Sequence, residues 1–258
     1  DTLDNPKHVE KNELMVFDRV IANPPFSQVK WWDRAEVAAG KNENGKEMAP
    51  NYSKVVSDPF GRFSYGIPPR SYGDLAFLQH MIAVLKHRGK LGIVLPHGVL
   101  FRGSSEGRIR QGILEDDILE AVVGLPSKLF YNTGIPASIL IIAKNKPAAL
   151  KGRVVFIDAS REFKEGKNQN VLEEAHIEKI VTAYDGLADV DKFMRIVAMA
   201  EIVENDYNLN IARYIDTSEA EEPVDLEQTL EKISAVEEKE LEIDKRLGDY
   251  LRELGLKG

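Results

Sequence analysis

The 258-residue chain has no cysteine. That suits a reducing cytosol and excludes a disulfide scaffold. It also removes two chemistries that act on nucleobases: attack by a thiolate on a pyrimidine ring, and deamination by a water held on cysteine-ligated zinc. Long apolar runs are missing as well. The longest, Ala137-Ser138-Ile139-Leu140-Ile141-Ile142-Ala143, contains a serine and is far too short to cross a bilayer. A soluble, cytoplasmic protein without a signal peptide is the expectation. The five histidines show no metal-ligand spacing, so no metal site is expected. Nowhere do two glycines stand at i and i+2.

A hydrophobic content of 43% can bury a real core. The net charge of −8 is unevenly spread, because 14 of the 42 acidic and only 6 of the 34 basic residues lie from Asp216 onward. The remaining body is neutral. The acidity of the tail therefore argues neither for nor against a nucleic-acid groove in the body. The chain starts at Asp1 rather than methionine, which raises the expectation that it was cut from a longer polypeptide.

Val16–Ala22 is rich in β-formers and stops at Asn23-Pro24-Pro25, which reads as a buried strand running into a rigid loop. Residues 27–71, with the polar stretch Gly40–Gly45, lack sustained periodicity and read as a long excursion holding at most a short helix. Leu75, Leu78, Ile82 and Leu85 form a helical stripe, widened by Phe77, Met81 and Val84, with Gly89 as the C-terminal stop. Strands are expected at Lys90–Pro96, Ile118–Gly124, 138–143 and 153–157, and a helix from Ser104 to about Leu114. This alternation indicates an α/β sheet with crossovers. After residue 170 the pattern is helical. From Val224 to Leu254 apolar residues recur near a heptad, with Pro223 at the start, weakened in the middle by Glu237 and Glu240. Three regions follow: 1–160, 161–222 (mixed, mostly helical) and 223–258 (an amphipathic tail that docks a partner subunit or packs back on its own domain).

The loop Asn23-Pro24-Pro25-Phe26 carries the chemistry. As a bare tetrapeptide it could be an ordinary rigid turn, but open α/β sheets place their sites at the carboxyl ends of strands. The exocyclic amine of adenine is a poor nucleophile because its lone pair is delocalised into the ring. Two acceptors at that nitrogen, the Asn23 side-chain oxygen and the Pro24 carbonyl, would return density to it and stabilise the charge that develops as a methyl group arrives. Proline fixes φ and donates no N–H, so the carbonyl stays in place. Phe26 can face the base, which must first leave the duplex.

Asp18–Ser27 resembles the catalytic motif of amino-methylating DNA methyltransferases. The resemblance continues through Asp74–His80, Gly92–Arg102, Gly124–Phe130, Thr133–Pro136, Phe156–Ser160 and Asn205–Ile211. This ordered series resembles the modification subunit of type I restriction-modification systems and covers most of residues 15–215. It implies the second half of a Rossmann-like, S-adenosylmethionine-dependent methyltransferase sheet, followed by a helical C-terminal region. It further implies adenine-N6 methylation of DNA alongside specificity and restriction subunits. Residue by residue, it implies that Asn23, Pro24, Pro25 and Phe26 hold the amine, that Phe77, with Asp74 as a second candidate, binds the cofactor, and that Phe130 stacks on the flipped base. Phe77 also fits plain core packing, His80 and His87 fit structural roles, and Arg102, Arg108 and Arg110 fit a solvated helix face as well as phosphate contacts. The family's glycine-rich loop and ribose-holding acid are missing, so S-adenosylmethionine belongs to the longer protein and none is expected bound to this chain alone. Methylation of protein glutamine, of cytosine N4, or a non-catalytic assembly role stay open.

Overall fold

The computed structural model describes residues 2–29, 31, 58–131, 133–217 and 226–253. Most of the long excursion, including Gly40–Gly45, lies outside them, as do Pro223 and Leu254. The described residues fall into two units, 1–217 and 218–258. The boundary expected at residue 160 does not divide the fold, because the sheet continues beyond it.

A short hairpin, β1 (Val9–Glu10) and β2 (Glu13–Leu14), precedes the main sheet. The sheet then takes β3 (Phe17–Ala22), β4 (Leu85–Pro96), β5 (Leu119–Gly124), β6 (Ala137–Ala143), β7 (Arg153–Asp158) and β8 (Met194–Ala198), in the spatial order β3-β4-β6-β5-β7-β8. β3 is parallel to β4 and β5 to β7, while β6 is antiparallel to both β4 and β5. β3, β4, β5 and β7 therefore all point one way. Their carboxyl ends, at Ala22, Pro96, Gly124 and Asp158, form one edge of the sheet.

Helices cover both faces. One face packs α1 (Asp74–Ala83), α2 (Ser104–Glu115) and α4 (Met199–Glu204) over Leu91, Ile93, Leu95, Val122 and Phe156. The other packs α3 (Glu174–Gly186) over Ala121, Val123, Val155 and Ile157. β5 is buried at every residue, as befits an apolar central strand covered on both sides. β3, expected as a buried strand, is instead one of the two edge strands among the described residues, β8 being the other. None of its residues is fully buried, and Ile21 is 87% exposed, because nothing among the described residues pairs with or covers its outer side. Among the described residues the second unit is a single helix, α5 (Leu226–Glu253).

Two further expectations need correction. Helix α1 stops at Ala83, not at Gly89, and Leu85 already belongs to β4, where it pairs with Phe17. The ladder then shifts, so that Arg19 pairs with Lys90 and the intervening residues bulge out. Gly89 serves this bulge: a Cβ there would stand 2.6 Å from Leu85 Cδ1. Second, the stretch beyond residue 170 is not helical throughout, since Met194–Ala198 forms β8 against β7.

Candidate active site at the carboxyl edge of the sheet

Pairing of Ala22 with Ile93 ends β3, and Asn23-Pro24-Pro25-Phe26 follows directly. Pro24 is buried, anchoring the loop, while Asn23 and Pro25 are exposed and Phe26 is half-buried. Ser27 then turns the chain with φ +51°, a left-handed conformation that costs a residue with a Cβ roughly 1–2 kcal/mol. The loop's exit is tied to the start of α1. The Ser27 amide donates to Asp74 Oδ1 at 2.7 Å, and the Gly73 amide donates to the Gln28 carbonyl at 3.0 Å.

Phe130 comes from the loop after β5, whose carboxyl end lies on the same edge of the sheet as that of β3. Its ring meets Phe26 edge-on, with centroids 5.6 Å apart at 72°. An offset, edge-to-face pair of this kind is attractive in itself and leaves ring faces free for a further flat partner. Tyr131 beside it is largely exposed. The structure thus brings together the loop Asn23–Phe26 and Phe130, over one hundred residues apart in sequence.

On the other side of the loop is a cavity of about 640 Å³. Asn23, Pro24, Phe77, Met81 and Val84 are among the residues that line it, together with His80. It is a largely apolar slot with an aromatic wall, directly beside the Asn23–Phe26 loop. Among the described residues no carboxylate lines it. Phe77 also packs against the core, as plain packing would have it. The His80 ring is held neutral: burial and the neighbouring Arg62 guanidinium bring its pKa down to about 4, against the opposing pull of Asp58.

Asp74 does not line this cavity. It is fully buried, with Oδ1 on the Ser27 amide and Oδ2 on Arg102 Nη2 at 2.8 Å. Its place at the first turn of α1 also favours a negative charge. Arg102 is not a solvated helix residue either. It pairs with Asp74 and Glu106 and stacks on Tyr72, 4.2 Å from the ring centroid. Arg110 is buried against the carbonyls of Tyr207, Val99 and Arg102, whereas Arg108 is exposed. Sequence reading missed this network, although the i, i+4 spacing of Arg102 and Glu106 hinted at it. It also passed over His97, just past the end of β4, whose buried Nε2 has no hydrogen-bond partner among the described residues. Burial lowers the His97 pKa and nearby Asp158 opposes that shift. Among the described residues no group of three or more His, Cys, Asp or Glu could hold a metal.

Residues 1–223 match the family model for N-6 DNA methylases. The chain belongs to this family. The methylase subunit of the type I restriction enzyme MjaVII of Methanocaldococcus jannaschii is 39% identical over 246 residues, covering 94% of this chain and 39% of the relative. The HindI methylase subunit of Haemophilus influenzae is 31% identical over 265 residues, covering 96% of this chain and 54% of that one. Among solved structures, the type I restriction-modification methyltransferase subunit from Streptococcus thermophilus matches with a TM-score of 0.69 at 43% identity, over 84% of this chain and 41% of that chain. The chain thus spans only about two-fifths to one half of the length of these relatives.

Proposed function

We propose that this chain is the amine-holding half of an adenine-N6 DNA methyltransferase, the modification subunit of a type I restriction-modification complex. The loop Asn23–Phe26 at the carboxyl end of β3, with Phe130 against Phe26 and Phe77 in the cavity beside it, carries this reading. S-adenosylmethionine would supply the methyl group. Phe77 would face the cofactor's adenine. A flipped target adenine would lie against Phe26 and Phe130. Its two amine hydrogens would be accepted by Asn23 Oδ1 and the Pro24 carbonyl, which hold the nitrogen lone pair towards the incoming methyl and stabilise the positive charge that forms there. The methylated nitrogen, now cationic and strongly acidic, would lose one proton to water after transfer, so no base with a tuned pKa is required.

A specificity subunit would choose the DNA site and a restriction subunit would complete the complex, in the cytoplasm. Residues 223–258 would dock a partner subunit. Among the described residues no helix is long and apolar enough to cross a membrane.

Asn23→Ala in the full-length modification subunit, assembled with its specificity subunit, tests the reading. Methyl transfer to cognate DNA should fall about 10²–10³-fold, the usual loss for one transition-state contact, with unchanged melting temperature and cofactor affinity. Near-normal turnover would overturn it. The 258-residue chain alone should show no measurable S-adenosylmethionine binding in a calorimetric titration, because in such sheets the glycine turn and ribose acid lie in the first half. Micromolar binding would contradict this.

A further inference from the structure

We propose that Asp74 and Arg102 form a positioning clamp that sets the geometry of the Asn23–Phe26 loop, a role that rests on the function proposed above. The loop is suspended between two anchors. At its entry, the last ladder pair of β3 joins Ala22 to Ile93. At its exit, Ser27 adopts a left-handed φ of +51° and its amide is held by Asp74 Oδ1 at 2.7 Å. Strained backbone of this kind persists where the surroundings over-determine it. The four residues between the anchors include both proposed acceptors for the amine hydrogens.

Asp74 is itself held from behind. Arg102 Nη2 donates to Asp74 Oδ2 at 2.8 Å, and Arg102 Nε lies 3.1 Å from Glu106 Oε2, an ion pair without an aligned hydrogen bond. Tyr72 covers one face of the guanidinium. On another side Gly98 makes room for it, since a Cβ there would stand 3.2 Å from Arg102 Cζ. The Arg102 backbone is fixed too, donating to the Gly98 carbonyl at 2.9 Å and accepting from Arg110 Nη1 at 2.9 Å. A buried ion pair is a weak device for stability, because desolvation offsets most of its attraction. It is a better device for orientation, since each Asp74 oxygen is committed to one donor, Oδ1 to the Ser27 amide and Oδ2 to Arg102 Nη2. The residue type at both positions therefore fits positioning better than packing.

Two measurements test the clamp. The first uses the chain alone and needs no activity: hydrogen exchange at the Ser27 amide. Asp74→Ala should speed it at least about tenfold while the amides of Ile93 and Val122 stay protected. Unchanged Ser27 exchange would overturn the clamp whatever the protein does. The second uses the full-length subunit in its complex. Asp74→Ala and Arg102→Ala should each lower kcat about 10–100-fold, as displacement of a reacting geometry does, with KM for S-adenosylmethionine within about threefold of wild type. The double variant should be no worse than the more damaged single one, because the pair acts as one unit. Asp74→Asn keeps an acceptor for the Ser27 amide and should recover much of the loss. Should Asp74→Ala fail to fold, Arg102→Ala carries the test, and wild-type kcat in that variant would overturn it. A KM effect with kcat intact, or additive losses, would also overturn it. A wild-type complex that methylates no DNA would defeat the functional reading while Ser27 exchange still decided the clamp.

Discussion

Helices α1 and α5 both repeat apolar residues at three- and four-residue spacing, yet Leu78 on α1 is 1% exposed and Val236 on α5 is 63% exposed. α1 is only 10 residues long and would be marginal in isolation. The sheet completes it. Leu75, Leu78, Met81 and Ile82 disappear into the core, and the strand that follows begins two residues after the helix ends. α5 has 28 residues and its own unit, and Ile233, Ile243, Leu247 and Tyr250 stand exposed beside Val236. Periodicity tells that a helix has an apolar face. It does not tell what the face meets.

The contrast is sharpest in stability. Phe156 is fully buried in the sheet against Tyr214, with ring centroids 4.3 Å apart. Phe156→Ala should cost about 3–5 kcal/mol in denaturant unfolding. Ile243→Ala, an equally apolar truncation on α5, should stay within about 0.5 kcal/mol in the same chain. Comparable losses at both positions would erase the distinction between the two units.

In assembly the two regions should trade places. Deleting residues 224–258 should leave the unfolding midpoint of the first unit unchanged within experimental scatter. The full-length subunit carrying the same deletion should lose most of its complex with the specificity subunit on size-exclusion chromatography. Unaltered complex formation would show that the apolar stripe of α5 serves some other purpose.

A smaller effect is confined to the first unit. Burial raises the Glu106 pKa to about 7 from an ordinary 4.5, with Asp74 adding to the shift and Arg102 and Arg110 opposing it. Between those values the folded chain keeps a proton that the unfolded chain has released, so this group's contribution to stability is lost as pH rises towards 7. His80 works in the opposite sense: its folded value lies below its ordinary one, so its contribution is lost as pH falls below about 6.5. Comparison of Glu106→Gln with wild type isolates the first. The melting temperature of the variant should fall less between pH 5 and 8, and parallel profiles would remove Glu106 as the source.

Local features were legible in the residues alone. The strand into Asn23-Pro24-Pro25-Phe26, helix α2 and strands β5, β6 and β7 follow from alternation, helical spacing and proline stops, which act within a few residues of each other. Proline's fixed φ makes the loop rigid wherever it is placed. The series of matches beginning at Asp18 carried the family as well.

Other features were decided only when distant segments met. Leu85 satisfies a helical stripe as well as a strand, and pairing with Phe17 settles the choice. β8 needs β7 beside it to exist, and nothing in residues 194–198 alone announces that partner. Phe130 stands against Phe26 because an antiparallel β6 fits between β4 and β5 and aligns the carboxyl ends of β3 and β5 on one edge. Asp74 looked like a residue for a ligand, and burial makes it a partner for Ser27 and Arg102 instead. A carboxylate taken out of water must find donors wherever the fold supplies them, and those donors lie 47 residues back and 28 residues on in the chain. Proline acts on its own backbone, so its effect is written in the residue. A buried charge acts through its neighbours, and only the tertiary structure says who they are.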